Sequence, residues 1–100
     1  MKSVELKGQG GVVLRFTGSC IACVEALNHD DTVRCEMSLY VTDDGYICQR
    51  VDQPNTIDVR YRLERCEDSL SVYQFLGTEP LANYLYGYAA LTVPGLRHVT

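Results

Sequence analysis

Residues 32–52, TVRCEMSLYVTDDGYICQRVD, form two runs of alternating apolar and polar side chains on either side of Asp43-Asp44-Gly45. Successive side chains on a strand point to opposite faces, so a period of two is the pattern a half-buried strand requires. Glycine following two aspartates supplies the left-handed backbone of a short hairpin loop. The stretch predicts an antiparallel hairpin. With those three residues as its loop, Tyr40 faces Cys48, Leu39 faces Gln49 and Met37 faces Val51. Cys35, Met37, Leu39, Val41, Ile47 and Val51 then share the buried face, and Glu36, Ser38, Thr42, Arg50 and Asp52 take the other.

After an Asp52-Gln53-Pro54-Asn55 turn, residues 56–65 alternate more strictly, with Ile57, Val59, Tyr61 and Leu63 against Asp58, Arg60, Arg62 and Glu64. This is the pattern of an antiparallel strand with one wet face. Upstream, Val4 and Leu6 precede Gly8-Gln9-Gly10-Gly11, and Val12, Leu14 and Phe16 alternate with Val13, Arg15 and Thr17, which adds a second hairpin. Residues 20–27 fit either period, and their place between strands that need an antiparallel neighbour favours a strand, entered through a turn at Thr17-Gly18-Ser19. The carboxyl end changes to a helical period. Asp68 or Ser69 can cap a helix that stops at Gly77, and Thr78 can cap a second one from Pro80, with Leu81, Ala82, Leu85, Tyr88 and Ala89 as its apolar stripe.

A chain of 100 residues can bury one core, and no linker or repeat divides it, so residues 1–100 read as a single domain. No apolar run reaches the length of a membrane span. The amino terminus, with Lys2, Glu5 and Lys7, has no apolar stretch of the kind a secretory signal needs. A cytoplasmic, reducing location is therefore expected, with the five cysteines free. The net charge of −4 opposes phosphate binding, so no direct nucleic-acid partner is expected. An acidic inhibitor of a nucleic-acid-binding protein is the alternative that charge alone permits.

Few residues look like chemistry. On a strand, Cys20 and Cys23 of the C-x-x-C would point to opposite faces unless a bulge intervened, so they read as small wall residues rather than as a metal or redox pair. Cys35, Cys48 and Cys66 supply no second C-x-x-C, and in the expected hairpin Cys35 faces the core while Cys48 faces away. No catalytic residue, metal site or cofactor is expected. His29-Asp30-Asp31 reads as a polar hairpin loop, His98 lies in the tail, and Gly8-Gln9-Gly10-Gly11 lacks the Lys-Ser/Thr of a phosphate loop. Arg50, Arg60 and Arg62, with Tyr46 nearby, form a candidate cationic face for a small carboxylate or phosphate ligand. Tyr84, Tyr86 and Tyr88 cannot all face one core from a helix, which makes them candidates for an interface.

The run Glu36-Met37-Ser38-Leu39-Tyr40-Val41-Thr42-Asp43-Asp44-Gly45-Tyr46 resembles small bacterial proteins related to the EXLDI group, as do Phe16-Thr17-Gly18 and the downstream run from Phe75 to Ala82. The resemblance implies a β-rich sheet with terminal helices and a strand over residues 20–27, and it implies no activity. Proteins of that kind travel on mobile elements such as integron cassettes and prophages, which fits an accessory role.

The expected fold is α+β: an antiparallel meander of five or six strands, with two carboxyl-terminal helices packed on one face. The expected function is that of a non-catalytic binding or interaction module, and the alternative is a small-ligand-binding protein or enzyme that uses the Arg50, Arg60 and Arg62 face or a pocket between sheet and helices. A homodimer is expected, because an open meander leaves edge strands whose backbone groups must be covered or paired.

Overall fold

The computed structural model describes residues 1–30, 32–54 and 57–90. Five antiparallel strands run in the order β1-β2-β3-β4-β5, with β1 at Lys2–Lys7, β2 at Val13–Leu27, β3 at Val33–Thr42, β4 at Gly45–Asp52 and β5 at Arg60–Cys66. Two helices follow, α1 at Ser69–Leu76 and α2 at Pro80–Ala90. The α+β meander with two helices on one face is the expected architecture.

The middle hairpin turns tighter than its sequence predicts. Thr42 pairs with Gly45, so Asp43 and Asp44 alone form the loop, and Leu39 faces Cys48 while Tyr40 faces Ile47. A one-residue change of register moves a whole strand's side chains to the other face. Cys48 accordingly joins Cys35, Met37 and Leu39 beneath the helices, whereas Ile47 and Val51 go to the opposite face with Tyr40. Gly45 lets the turn close, because a Cβ there would lie 2.6 Å from the Cys66 carbonyl oxygen.

Strand β2 corrects a second expectation. Residues 17–19 are not a turn but the middle of one continuous strand. A Cβ on Gly18 would lie 2.6 Å from the Val41 carbonyl oxygen, so its lack of a side chain lets β2 run on close against β3. Residues 13–18 pair with β1 and residues 19–27 with β3.

Both faces of the curled sheet are covered at its centre. On one face Met37, Leu39 and Cys48, all at 0% exposure, meet Val72, Leu76, Ala82, Leu85, Tyr86 and Ala89 of the helices. Burying a side chain such as Leu39 stabilises the fold by about 1.5–3 kcal/mol. On the other face the β1–β2 hairpin folds back. Leu6 and Ile47 are buried there, the Phe16 and Tyr40 rings meet edge to face at 5.5 Å, and Gln49 Nε2 donates to Lys7 O at 3.0 Å. Gln9 Oε1 accepts from Leu63 N at 3.2 Å, which hooks the first hairpin to the edge of β5.

The last strand is shorter than predicted. Tyr61 and Leu63 are half-buried as the alternation requires, but Ile57 and Val59 are exposed at 87% and 39% and precede β5. Asn55 and Thr56, at the expected turn and strand start, lie outside the described residues.

The helices begin and end where local chemistry requires. Asp68 Oδ1 accepts from Ser71 N at 2.9 Å and caps α1, and Gly77, in the left-handed region at φ 82°, closes it with a bond from its own N–H to Tyr73 O. In α2 the buried stripe is Ala82, Leu85, Tyr86 and Ala89, so Tyr86 takes the inward place expected of Tyr88.

Candidate functional site

Hydrogen-bond direction along β2 defines the site. Gly8 N donates to Val12 O, so the even-numbered residues at the start of β2 turn their peptide groups toward β1. Direction alternates along a strand, which makes Gly18 face β1 and Ser19 face β3. The two neighbours therefore flank β2 on opposite edges. On β3, Arg34 O accepts from Gln53 N and faces β4, so Cys35, Met37 and Leu39 face β2. Their partners Ala26, Val24 and Ala22 turn inward, leaving the peptide groups of Cys23 and Glu25 aimed outward.

Strand β1 begins at Lys2, opposite Gly18. Beyond that point no strand among the described residues lies along the outer edge of residues 19–27. Helix α2 packs against β2. Residues 21–25 together with Leu81, Tyr84 and Tyr88 line a groove of about 490 Å³. Tyr84 and Tyr88 are exposed at 67% and 60%, while Tyr86 is at 2%. The Tyr86 hydroxyl donates to Gly77 O at 2.5 Å and its ring meets Tyr73 edge to face, so this phenol belongs to the core and not to an interface. Burial, followed by the charge of Cys48, raises its ionisation above the ordinary tyrosine value.

Sequences that present an open edge normally carry charges or bulges along it. Glu25 is the single charged residue in 19–27, and bulges stand at Ile21 and between Ala26 and Leu27. The stretch between them, Ala22 to Ala26, is short and apolar apart from Glu25.

The arginine face is a different kind of place. Arg50 lies toward the helices, against the sequence expectation of an outward position. Arg50 Nε donates to Asp52 Oδ2 at 2.9 Å and its Nη1 donates to Glu79 Oε1 at 2.5 Å. Burial works to raise Asp52, but the Arg50 hydrogen bonds and charge outweigh it and hold the carboxyl below its usual range. Arg60 sits opposite Asp52, and Arg62 sits opposite Arg50 with its guanidinium 5.6 Å from the Phe75 ring centre. Tyr46 pairs with Cys66 at the far end of β4, four residues or roughly 13 Å from Arg50, and packs on the core. Arg50 and Arg60 line one cavity of about 570 Å³ with Arg34, Asp52 and Glu79, whereas Tyr46 stands apart from it.

The remaining sequence candidates resolve as structure. Asp30 Oδ1 accepts from Thr32 N and Thr32 Oγ1, and those bonds hold its carboxyl below the usual range, so Asp30 shapes the β2–β3 turn. His29 beside it is exposed, and Asp31 and His98 lie outside the described residues. Cys35, Cys48 and Cys66 are buried, with Cys48 Sγ and Cys66 Sγ 3.8 Å apart. Cys20 and Cys23 are exposed, which overturns their reading as wall residues. Among the described residues no group of three or more His, Cys, Asp or Glu could hold a metal, and no helix is long and apolar enough to cross a membrane. Comparison of the chain with protein-family models, with curated proteins and with solved structures finds no match.

Proposed function

We propose that this protein is a non-catalytic interaction module that joins a second copy of itself by antiparallel strand addition at the outer edge of β2. The observation that carries the reading is the outward direction of the Cys23 and Glu25 peptide groups beside a groove walled by Tyr84 and Tyr88. Strand addition draws affinity from such main-chain groups and specificity from neighbouring side-chain pockets.

A second copy fits this edge by charge. In an antiparallel pair with its two-fold axis at Cys23, the one carboxylate, Glu25, falls opposite the partner's Ile21. The two Glu25 side chains then stand about four residue rises, or roughly 13 Å, apart. That spacing exceeds the Debye length of about 8 Å at physiological salt. Self-pairing thus carries no close repulsion.

A small-ligand site at Arg50, Arg60 and Arg62 has weaker support, because Asp52 and Glu79 already pair with Arg50. Amide hydrogen exchange tests the proposal residue by residue. Exchange at Cys23 and Glu25 should slow as protein concentration rises, while exchange at the exposed end of β1 stays constant. Concentration-independent exchange at both residues contradicts it.

A further inference from the structure

Cys20 pairs with Tyr40 and Ala22 with Leu39, so Ile21 has no cross-strand partner and is the extra residue of a β-bulge. On a regular strand, residues three apart face opposite ways. The extra residue cancels that alternation. Cys23 lies opposite Ser38, two residues along β3 from Tyr40, so both sulfurs rise from the same face. Their backbones are two strand rises apart, roughly 6.6 Å.

Two further observations concern the sulfurs themselves. Both thiols are exposed. Cys20 Sγ leans along the strand toward Ala22 O, at 3.5 Å, and Ser38 Oγ donates to Cys23 Sγ at 3.3 Å.

Parallel side chains at this spacing are wide for a disulfide, whose Cβ atoms stand about 3.5–4.5 Å apart. Two sulfur–metal bonds of about 2.3 Å reach about 4.6 Å between sulfurs, so each side chain need turn inward by only about 1 Å to share an ion, with the backbone in place. Zinc wants four ligands, and within one chain the described residues offer no third cysteine, histidine or carboxylate in a metal-holding group. Thiolates select soft ions such as Cu(I), which accepts two ligands in line.

We propose that Cys20 and Cys23 form a two-coordinate site for one monovalent soft ion of the Cu(I) class. Each thiol releases its proton to solvent, two sulfur–copper bonds form, and no electron is transferred. The site is assigned to a single chain, and because strand addition would bring the partner's Cys23 opposite Cys23, Glu25→Pro reads the site with the edge unpaired.

The test is anaerobic titration of the fully reduced protein with Cu(I) held by the chromogenic chelator bicinchoninate. Wild type, Cys48→Ser and Glu25→Pro should each withdraw one equivalent per chain, whereas Cys20→Ser and Cys23→Ser should withdraw none. Circular dichroism checks that each variant is folded. The assignment is overturned if the folded wild type takes up no copper, or if both Cys20→Ser and Cys23→Ser retain the equivalent. Loss of uptake in folded Cys48→Ser alone overturns it too, by moving the ion to the buried Cys48 and Cys66.

Discussion

Cys20 and Cys23 reach solvent on β2, while Cys35, Cys48 and Cys66 lie beneath the helices, so a thiol reagent has unequal access to the five groups. Only exposed thiols can meet an alkylating reagent in the folded chain. Mass mapping after brief native alkylation should find label on Cys20 and Cys23 alone, with the other three labelled after denaturant is added. Burial also pushes the Cys35 thiol up, from an ordinary 9.0 to about 11. The unfolded chain then loses this proton first as pH rises, so between pH 9 and pH 11 the folded state binds more protons and stability falls. Urea midpoints should decline across that window, and Cys35→Ala should decline less steeply.

Elements differ in how openly the sequence declares them. The ends of α1 were legible because Asp68 and Gly77 act within one turn of their own positions. The faces of β4 were not, because a two-residue loop and a three-residue loop fit Asp43-Asp44-Gly45 equally well, and the choice sends Cys48 or Ile47 to the helices. Alternation could not arbitrate where Ile47, Cys48 and Gln49 are all buried. The bulge at Ile21 has no signature of its own, so the shared face of Cys20 and Cys23 was invisible in the C-x-x-C. The open edge was foreseeable in kind, and its position depended on where β1 begins to pair. Stability tests the observed faces directly. Leu39→Ala, at a fully buried site, should cost about 2–5 kcal/mol, and Val59→Asp should stay within about 0.5 kcal/mol. Gly18→Ala should cost about 1–3 kcal/mol, because the new Cβ must displace the Val41 carbonyl. Chemical denaturation of the three variants measures each contrast.

At the scale of the whole molecule, the sheet spends its two faces on packing and leaves binding to an edge. One face takes the helices and the other takes the β1–β2 hairpin, so the surface that still offers directed backbone groups beside exposed aromatics is the outer side of residues 19–27. Proline at Glu25 removes an outward N–H that the described sheet does not use, a substitution edge strands tolerate. Sedimentation equilibrium across the micromolar range, on wild type and Glu25→Pro, decides whether this edge is paired in solution. Wild type should sediment with a dimer mass, and Glu25→Pro with a monomer mass and unchanged circular dichroism. A monomeric wild type, or a dimer that persists in folded Glu25→Pro, would contradict it.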